Sequence, residues 1–242
     1  MRNPLSKTVA CWQTDQMKQT HQFAQLLLLA AVVLATPLGA QDQPAPNLVT
    51  QGRGAPGGVL RMYLARSLFA EGMAGKDALS VLNAARLAAS VTLTDTPRTR
   101  ETTPDAATAT SPPSTPTDMF DTAASLAAGD DGLMDLIDAS RREAGFAPLT
   151  NVVSSQSALV SNGTETWPQP FFGASLAEVA ILGDGNGNLD MSITDGNGNL
   201  VCRDVGPSDM AYCSFFPAVN GTFQITVQNT EGAANTYLLL TN

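Results

Sequence analysis

Apolar positions recur along this chain at two different periods, and the change falls near residue 150. In the first half the spacing is helical. Leu60, Leu64 and Leu68 lie four apart with Tyr63 beside them and Gly72 beyond as a stop; Asp77 then offers an N-cap to a second stripe of Ala78, Val81, Leu82, Ala85 and Ala89. The two segments are expected to pair as an antiparallel hairpin across residues 72–76. Helical pattern resumes in "MFDTAASLAA" and "DDGLMDLIDASRREAGF", where Leu133, Leu136 and Ile137 form the apolar stripe. Asp130 and Asp131 sit at the positive end of that helix, Arg141 and Arg142 at its negative end. Beyond residue 151 the period shortens to two. The runs 177–182, 189–195, 200–204, 212–217, 221–230 and 235–242 are separated by Gly, Asn and Pro, and in the fifth Phe223, Ile225 and Val227 oppose Thr222, Gln224 and Thr226. Six strands without intervening helices predict an antiparallel sandwich or barrel. The expected fold class is therefore α+β, a small N-terminal helical region followed by an antiparallel, jelly-roll-like β-sandwich.

Composition divides the chain further. Residues 26–35, "LLLLAAVVLA", are too short an apolar run for the roughly 20 residues that span a membrane, and "TPLGA" follows with small residues. Residues 1–40 are expected to be a secretory signal peptide, with Met17 a better start than Met1 because a signal begins close to its apolar core. The protein is then periplasmic or secreted, with no membrane anchor after cleavage. Residues 41–58 read as a disordered leader rich in Gly and Pro, and residues 92–118, "TLTDTPRTRETTPDAATATSPPSTPTD", as a disordered loop inside a helical region spanning 59–148. The β-sandwich domain is expected over 151–242.

The full chain holds 13 basic and 22 acidic residues. Without residues 1–40, which contain Arg2, Lys7, Lys18 and Asp15, it holds 10 and 21, a net charge of −11 that disfavours nucleic acid and anionic membrane. His21, the one histidine, goes with the signal peptide. Triads with an imidazole base and most catalytic zinc sites are thereby excluded, which leaves carboxylate chemistry or a serine–lysine pair built on Lys76, unaccompanied by any peptidase motif.

The stretch from "FFGASLAEVAILGDGNGNLD" through "DGNGNLV", Phe216-Pro217 and the closing "YLLLTN" resembles, over about residues 160–242, the bacterial pre-peptidase C-terminal domain. The resemblance implies a β-sandwich appended to secreted peptidases that binds polymers or assists secretion, in some members with calcium. Residues 1–159 carry no peptidase motif, so a role tied to a neighbouring active site is not expected.

Candidate chemistry concentrates in "GDGNGNLDMSITDGNGNL", residues 183–200, which contains Asp-Gly-Asn-Gly-Asn twice. The second copy, from Asp195, lies between two strands and reads as a hairpin turn. For the first, two readings stand: a surface turn, or a calcium loop in which Asp184, Asn186, Asn188 and Asp190 alternate as oxygen ligands. It is not an EF-hand, because Leu189 stands where that loop requires Gly. Calcium is the one cofactor the residues suggest. Cys202 and Cys213, the only cysteines after cleavage, are expected to be disulfide-bonded; their midpoint falls between Pro207 and Ser208, so a hairpin turning there sets them opposite each other. Trp167, Phe171 and Phe172 could form a platform for polysaccharide, although large aromatics are more often core. The function expected is an exported, non-enzymatic accessory or binding protein whose partner is a protein or polysaccharide. The alternative is a carboxylate-dependent hydrolase acting on glycans, with Asp184 and Asp190 as the candidate pair, which requires two carboxyls about 5–9.5 Å apart in a cleft.

Overall fold

Four helices and ten strands follow in chain order in the computed structural model, which describes residues 44–104, 107–108, 113–144 and 150–242. The expected signal peptide lies outside the described residues. Helices α1 (Gly58–Gly75) and α2 (Ala78–Ala89) form the expected hairpin. Asp77 caps α2 by accepting a hydrogen bond from Leu79 N at 3.0 Å, and Lys76 makes the turn at φ 51°. Helix α1 runs through Gly72 instead of stopping there. The glycine serves contact: a Cβ at that position would lie 2.8 Å from Val81 Cγ2 on α2. The expected stripe on α1 is also corrected. Val59, Met62 and Ala65 are its buried apolar residues, while Leu64 is 47% exposed, because α1 is held between α2 and a sheet and its smaller side chains admit the closer approach.

The strands are β1 (Val91–Asp95), β2 (Glu101–Thr103), β3 (Thr150–Leu159), β4 (Thr164–Phe171), β5 (Ala177–Leu182), β6 (Leu189–Thr194), β7 (Leu200–Asp204), β8 (Met210–Phe215), β9 (Gly221–Asn229) and β10 (Asn235–Thr241). They form two sheets, β1-β3-β10-β5-β8 and β2-β4-β9-β6-β7, antiparallel throughout except for the β1–β3 pair. Each of the six strands expected from alternation is present, with bounds within two residues. Helices α3 (Pro116–Leu126) and α4 (Asp131–Ala144) pack on α2; Ile137 of α4 is buried, but Leu136 is exposed.

Two cores share the first sheet. Between the sheets lie Trp167, Val179, Ile181, Leu189, Met191, Ile193, Phe223, Ile225, Val227, Tyr237 and Leu239. On the outer face of the first sheet, Val152, Ala180, Leu182 and Leu240 meet α1 and α2. This explains why "AEVAIL", apolar but for Glu178, and "YLLL" do not alternate: both strands are covered on two faces. The helices are therefore a third layer on the sandwich, and residues 44–242 make one unit instead of two domains.

The tract 92–118 and the leader 41–58 are corrected as well, as far as they are described. Val91–Asp95 pairs in parallel with β3, and Glu101–Thr103 pairs with β4, completing both sheets. Threonine alternating with Val91 and Leu93 suits a half-buried edge, which outweighs the Thr- and Pro-rich composition. Residues 44–57 form a strap along the sandwich: Val49 bridges Phe216, Arg53 bridges Ser175, and Gly57 N donates to Glu178 Oε2 at 2.8 Å.

A polar network crosses the inter-sheet core. Glu165 of β4, fully buried, accepts from Arg100 Nε (3.0 Å), Thr102 Oγ1 (2.9 Å), Ser157 Oγ (2.8 Å) and Tyr237 OH (2.5 Å), and Tyr237 OH accepts from Trp167 Nε1 at 2.9 Å. Burial, reinforced by the Glu165 charge, pushes the Tyr237 hydroxyl well above its ordinary value; burial and the hydrogen bond to Glu178 do the same for Tyr212. A raised folded value means that stability is fully present below the unfolded tyrosine value of about 10 and is lost as pH rises beyond it. Denaturant melts should accordingly lose about 1–2 kcal/mol between about pH 8 and pH 10.5. In Tyr237→Phe that alkaline slope should be shallower, and an unchanged slope would contradict the assignment.

Candidate functional site

The two Asp-Gly-Asn-Gly-Asn copies occupy different places. The second closes the β6–β7 hairpin, with Asp195 N donating to Asn199 O (3.0 Å), Gly198 N to Asp195 O (3.0 Å), and Gly198 at φ 81°. It does more than turn the chain. The buried Asp195 carboxylate accepts from Asn197 N (2.9 Å), Asn199 N (2.9 Å), Asn199 Nδ2 (3.0 Å) and Asn47 N of the strap (2.8 Å). Burial pushes this carboxyl up, but the hydrogen bonds it accepts outweigh that and hold it below the usual carboxylate range.

The first copy carries the chain from β5 in one sheet to β6 in the other. Asp184 Oδ1 accepts from Asn186 N and Oδ2 from Thr236 N of β10, both at 3.0 Å; Asp209 Oδ2 accepts from Gly185 N at 2.6 Å. Gly185 and Gly187 take φ 97° and 89°, which a side-chain-bearing residue would resist. Asn186 O accepts from Asn235 Nδ2 of β10, and Asn188 O accepts from Thr230 N at 3.0 Å. Of the four expected calcium ligands, Asp184, Asn186 and Asn188 thus share one loop. Asp190 lies within β6, on the face opposite Leu189 and Met191, in register with Gln228. Asn235 was not legible as a member of the cluster, because only the β10 pairing brings it there. Among the described residues, no group of three or more His, Cys, Asp or Glu side chains could hold a metal by itself.

Cys202 and Cys213 are bonded, with Cα atoms 6.1 Å apart. The expected placement is corrected: β7 ends one sheet and β8 ends the other, so the bond joins the open edges of the sandwich instead of hairpin neighbours within a sheet.

The aromatic stretch separates. Trp167 and Phe171 are buried, Phe171 lying 5.5 Å from Phe215 and 5.9 Å from Phe223 between ring centroids. Phe172 is 76% exposed. Clefts open on both sides of it. One of about 410 Å³ is lined by Pro170, Phe171, Phe172, Asn220, Gly221 and Thr222; another of about 440 Å³ runs from Gln169 and Pro170 past Phe172 to Leu176 and Asn242. A third of about 370 Å³ lies between the strap and Val219, which is itself 65% exposed. Among the described residues, no charged side chain lines any of the three.

No known protein family matches the chain, and no curated protein does. Among solved structures it is similar to a low-affinity xylan binding module from Roseburia intestinalis, at 13% identity and a TM-score of 0.28, over 36% of this chain and 75% of that one. It is also similar to the pre-peptidase C-terminal domain of a collagenase from Bacillus anthracis, at 11% identity and a TM-score of 0.23, over 38% and 75%. A third likeness is to the C-terminal carbohydrate-binding module of a laminarinase from Zobellia galactanivorans, at 13% identity and a TM-score of 0.24, over 36% and 80%. At such scores the likeness bears on neither fold nor function.

Proposed function

We propose that the protein is an exported, non-enzymatic binding protein that holds a neutral polysaccharide at the Phe172 end of its sandwich. The observation that carries this reading is an exposed aromatic ring standing between clefts whose described lining residues are apolar or bear amide and hydroxyl groups. A pyranose ring has one apolar C–H face and a rim of hydroxyls. The first stacks on a phenyl ring, and the second finds donors and acceptors such as Asn220 and Thr222 at its edge. In a chain of net charge −9, an uncharged site favours a neutral polymer over a polyuronate. Among the described residues no side-chain carboxylate lines these clefts, and Asp184 holds the backbone N–H groups of Asn186 and Thr236, which supports binding over hydrolysis there. The expected signal peptide and the Cys202–Cys213 bond support a setting outside the cytoplasm.

Affinity electrophoresis through gels containing xylan, β-glucan or galactan tests the reading. Wild-type protein should be retarded by at least one neutral polymer. Phe172→Ala should lose about tenfold or more in affinity, since stacking supplies on the order of 1–2 kcal/mol, while its melting temperature stays near wild type because the ring is exposed. Equal retardation of Phe172→Ala and wild type, or none by any neutral polymer, would overturn the proposal.

A further inference from the structure

The loop of residues 184–188 and the first residue of β10, which touches it, each hold an amide oxygen that no hydrogen bond uses. Asn188 Oδ1 and Asn235 Oδ1 are buried atoms with no hydrogen-bond partner. Asn235 is fully buried, and its Nδ2 is fixed on Asn186 O, so the side chain is aimed into the loop with its oxygen left over. A buried amide oxygen without a donor costs about 1–3 kcal/mol, and one on the loop with another on the strand that bonds it call for an electropositive partner. Their neighbourhood is acidic. Asp184 stands in the loop, Asp209 holds Gly185 N, and the Glu231 side chain lies beside Gly187; the nearby cation, Arg66, donates to Gly183 O at 3.1 Å and leaves three carboxylates against one guanidinium.

We propose that this loop and Asn235 bind one calcium ion, with the Asp184 carboxylate, Asn188 Oδ1 and Asn235 Oδ1 as side-chain ligands and water completing the shell. Every donor is a hard oxygen, two of them neutral amides. That set suits calcium, which takes six to eight oxygens at about 2.3–2.6 Å in flexible geometry; magnesium demands a near-ideal octahedron, and zinc prefers nitrogen or sulfur. Few charges in the shell imply weak binding, on the order of 10⁻⁴ M, in the range of extracellular calcium modules. The ion would tie the β5–β6 crossover to the start of β10, and so one sheet to the other. The proposal is independent of polysaccharide binding and, against the ligand set suggested by alternation, leaves out the Asn186 and Asp190 side chains and adds Asn235.

Equilibrium dialysis of the full chain against radioactive calcium should find one ion per chain, and calcium about 100-fold above Kd should raise the melting temperature by roughly 5–10 °C relative to chelator. Magnesium should not do so. Asn188→Ala and Asn235→Ala should each abolish binding and the rise, and Asp190→Ala should keep both. Asn188→Asp, which adds a charged ligand, should bind on the order of tenfold more tightly. Should Asn235→Ala fail to fold, the Asn188 pair decides alone. The proposal is overturned if dialysis finds no bound calcium, if Asn188→Ala binds like wild type, or if Asp190→Ala loses the ion.

Discussion

Glu165→Ala should destabilise the protein by about 2–4 kcal/mol, the cost of leaving buried hydroxyl donors without the fully buried carboxylate they bond; Arg100, its ion-pair partner, is itself partly exposed. The size follows from what the carboxylate holds. Its partners come from both sheets: Arg100 and Thr102 approach from the β2 side and Glu165 itself stands on β4, while Ser157 belongs to β3 and Tyr237 to β10. Truncation leaves Ser157 and Tyr237, both buried, with hydroxyls that water cannot reach, and strips Arg100 of its counter-charge while its guanidinium stays over the Trp167 ring at 5.1 Å. Glu165→Gln keeps the shape and some of these acceptors, and should cost clearly less than alanine. Asp138→Ala, on the exposed face of α4, should stay within about 0.5 kcal/mol of wild type. Urea midpoints of the three variants decide the matter, and a Glu165→Ala midpoint equal to that of Asp138→Ala would show that the network does not pin the sandwich.

That network also marks where sequence reading reached its limit. Strands β5 to β10 were legible because their apolar residues alternate or run unbroken between Gly, Asn and Pro. Strand β3 escaped because Ser154, Ser155 and Ser157 are buried polar residues, and a run of serines carries no hydrophobic period. Strand β4 escaped because Pro168 and Pro170 demote a run; β2 pairs with β4 only over Thr164–Thr166, so both prolines fall where the β2-facing side needs no N–H donor. At the candidate sites the loss was one of depth. Asp184 and Asn188 were visible in the repeat, but Asn235 is 47 residues or more away in the chain and enters through the β10 register. Phe172 was visible as one of three aromatics. Which one faced solvent depended on the position of each along β4 and at its end, and no composition encodes that.

The Cys202–Cys213 bond should prove worth about 3 kcal/mol, and its loss should be felt unevenly. A closed segment with a sequence separation of 11 gives roughly that figure by chain entropy alone. The topology adds a local effect. Had the two strands been hairpin partners, a ladder of backbone hydrogen bonds would hold them together after reduction. Instead β7 ends the second sheet and β8 the first, so no ladder joins them; Tyr212 N donating to the Asp204 carboxylate at 2.9 Å is a side-chain link across the same edge. Without the disulfide, β7 keeps only its β6 side, where the register already shifts at Ile193/Thr194. The double variant Cys202→Ala/Cys213→Ala should therefore lower the urea midpoint and also speed amide hydrogen exchange across residues 200–204 far more than across β9, which is paired on both sides. Uniform acceleration through β7 and β9 would mean that the bond acts only on the unfolded chain. No change in midpoint on reduction would show that the sandwich edge closes without it.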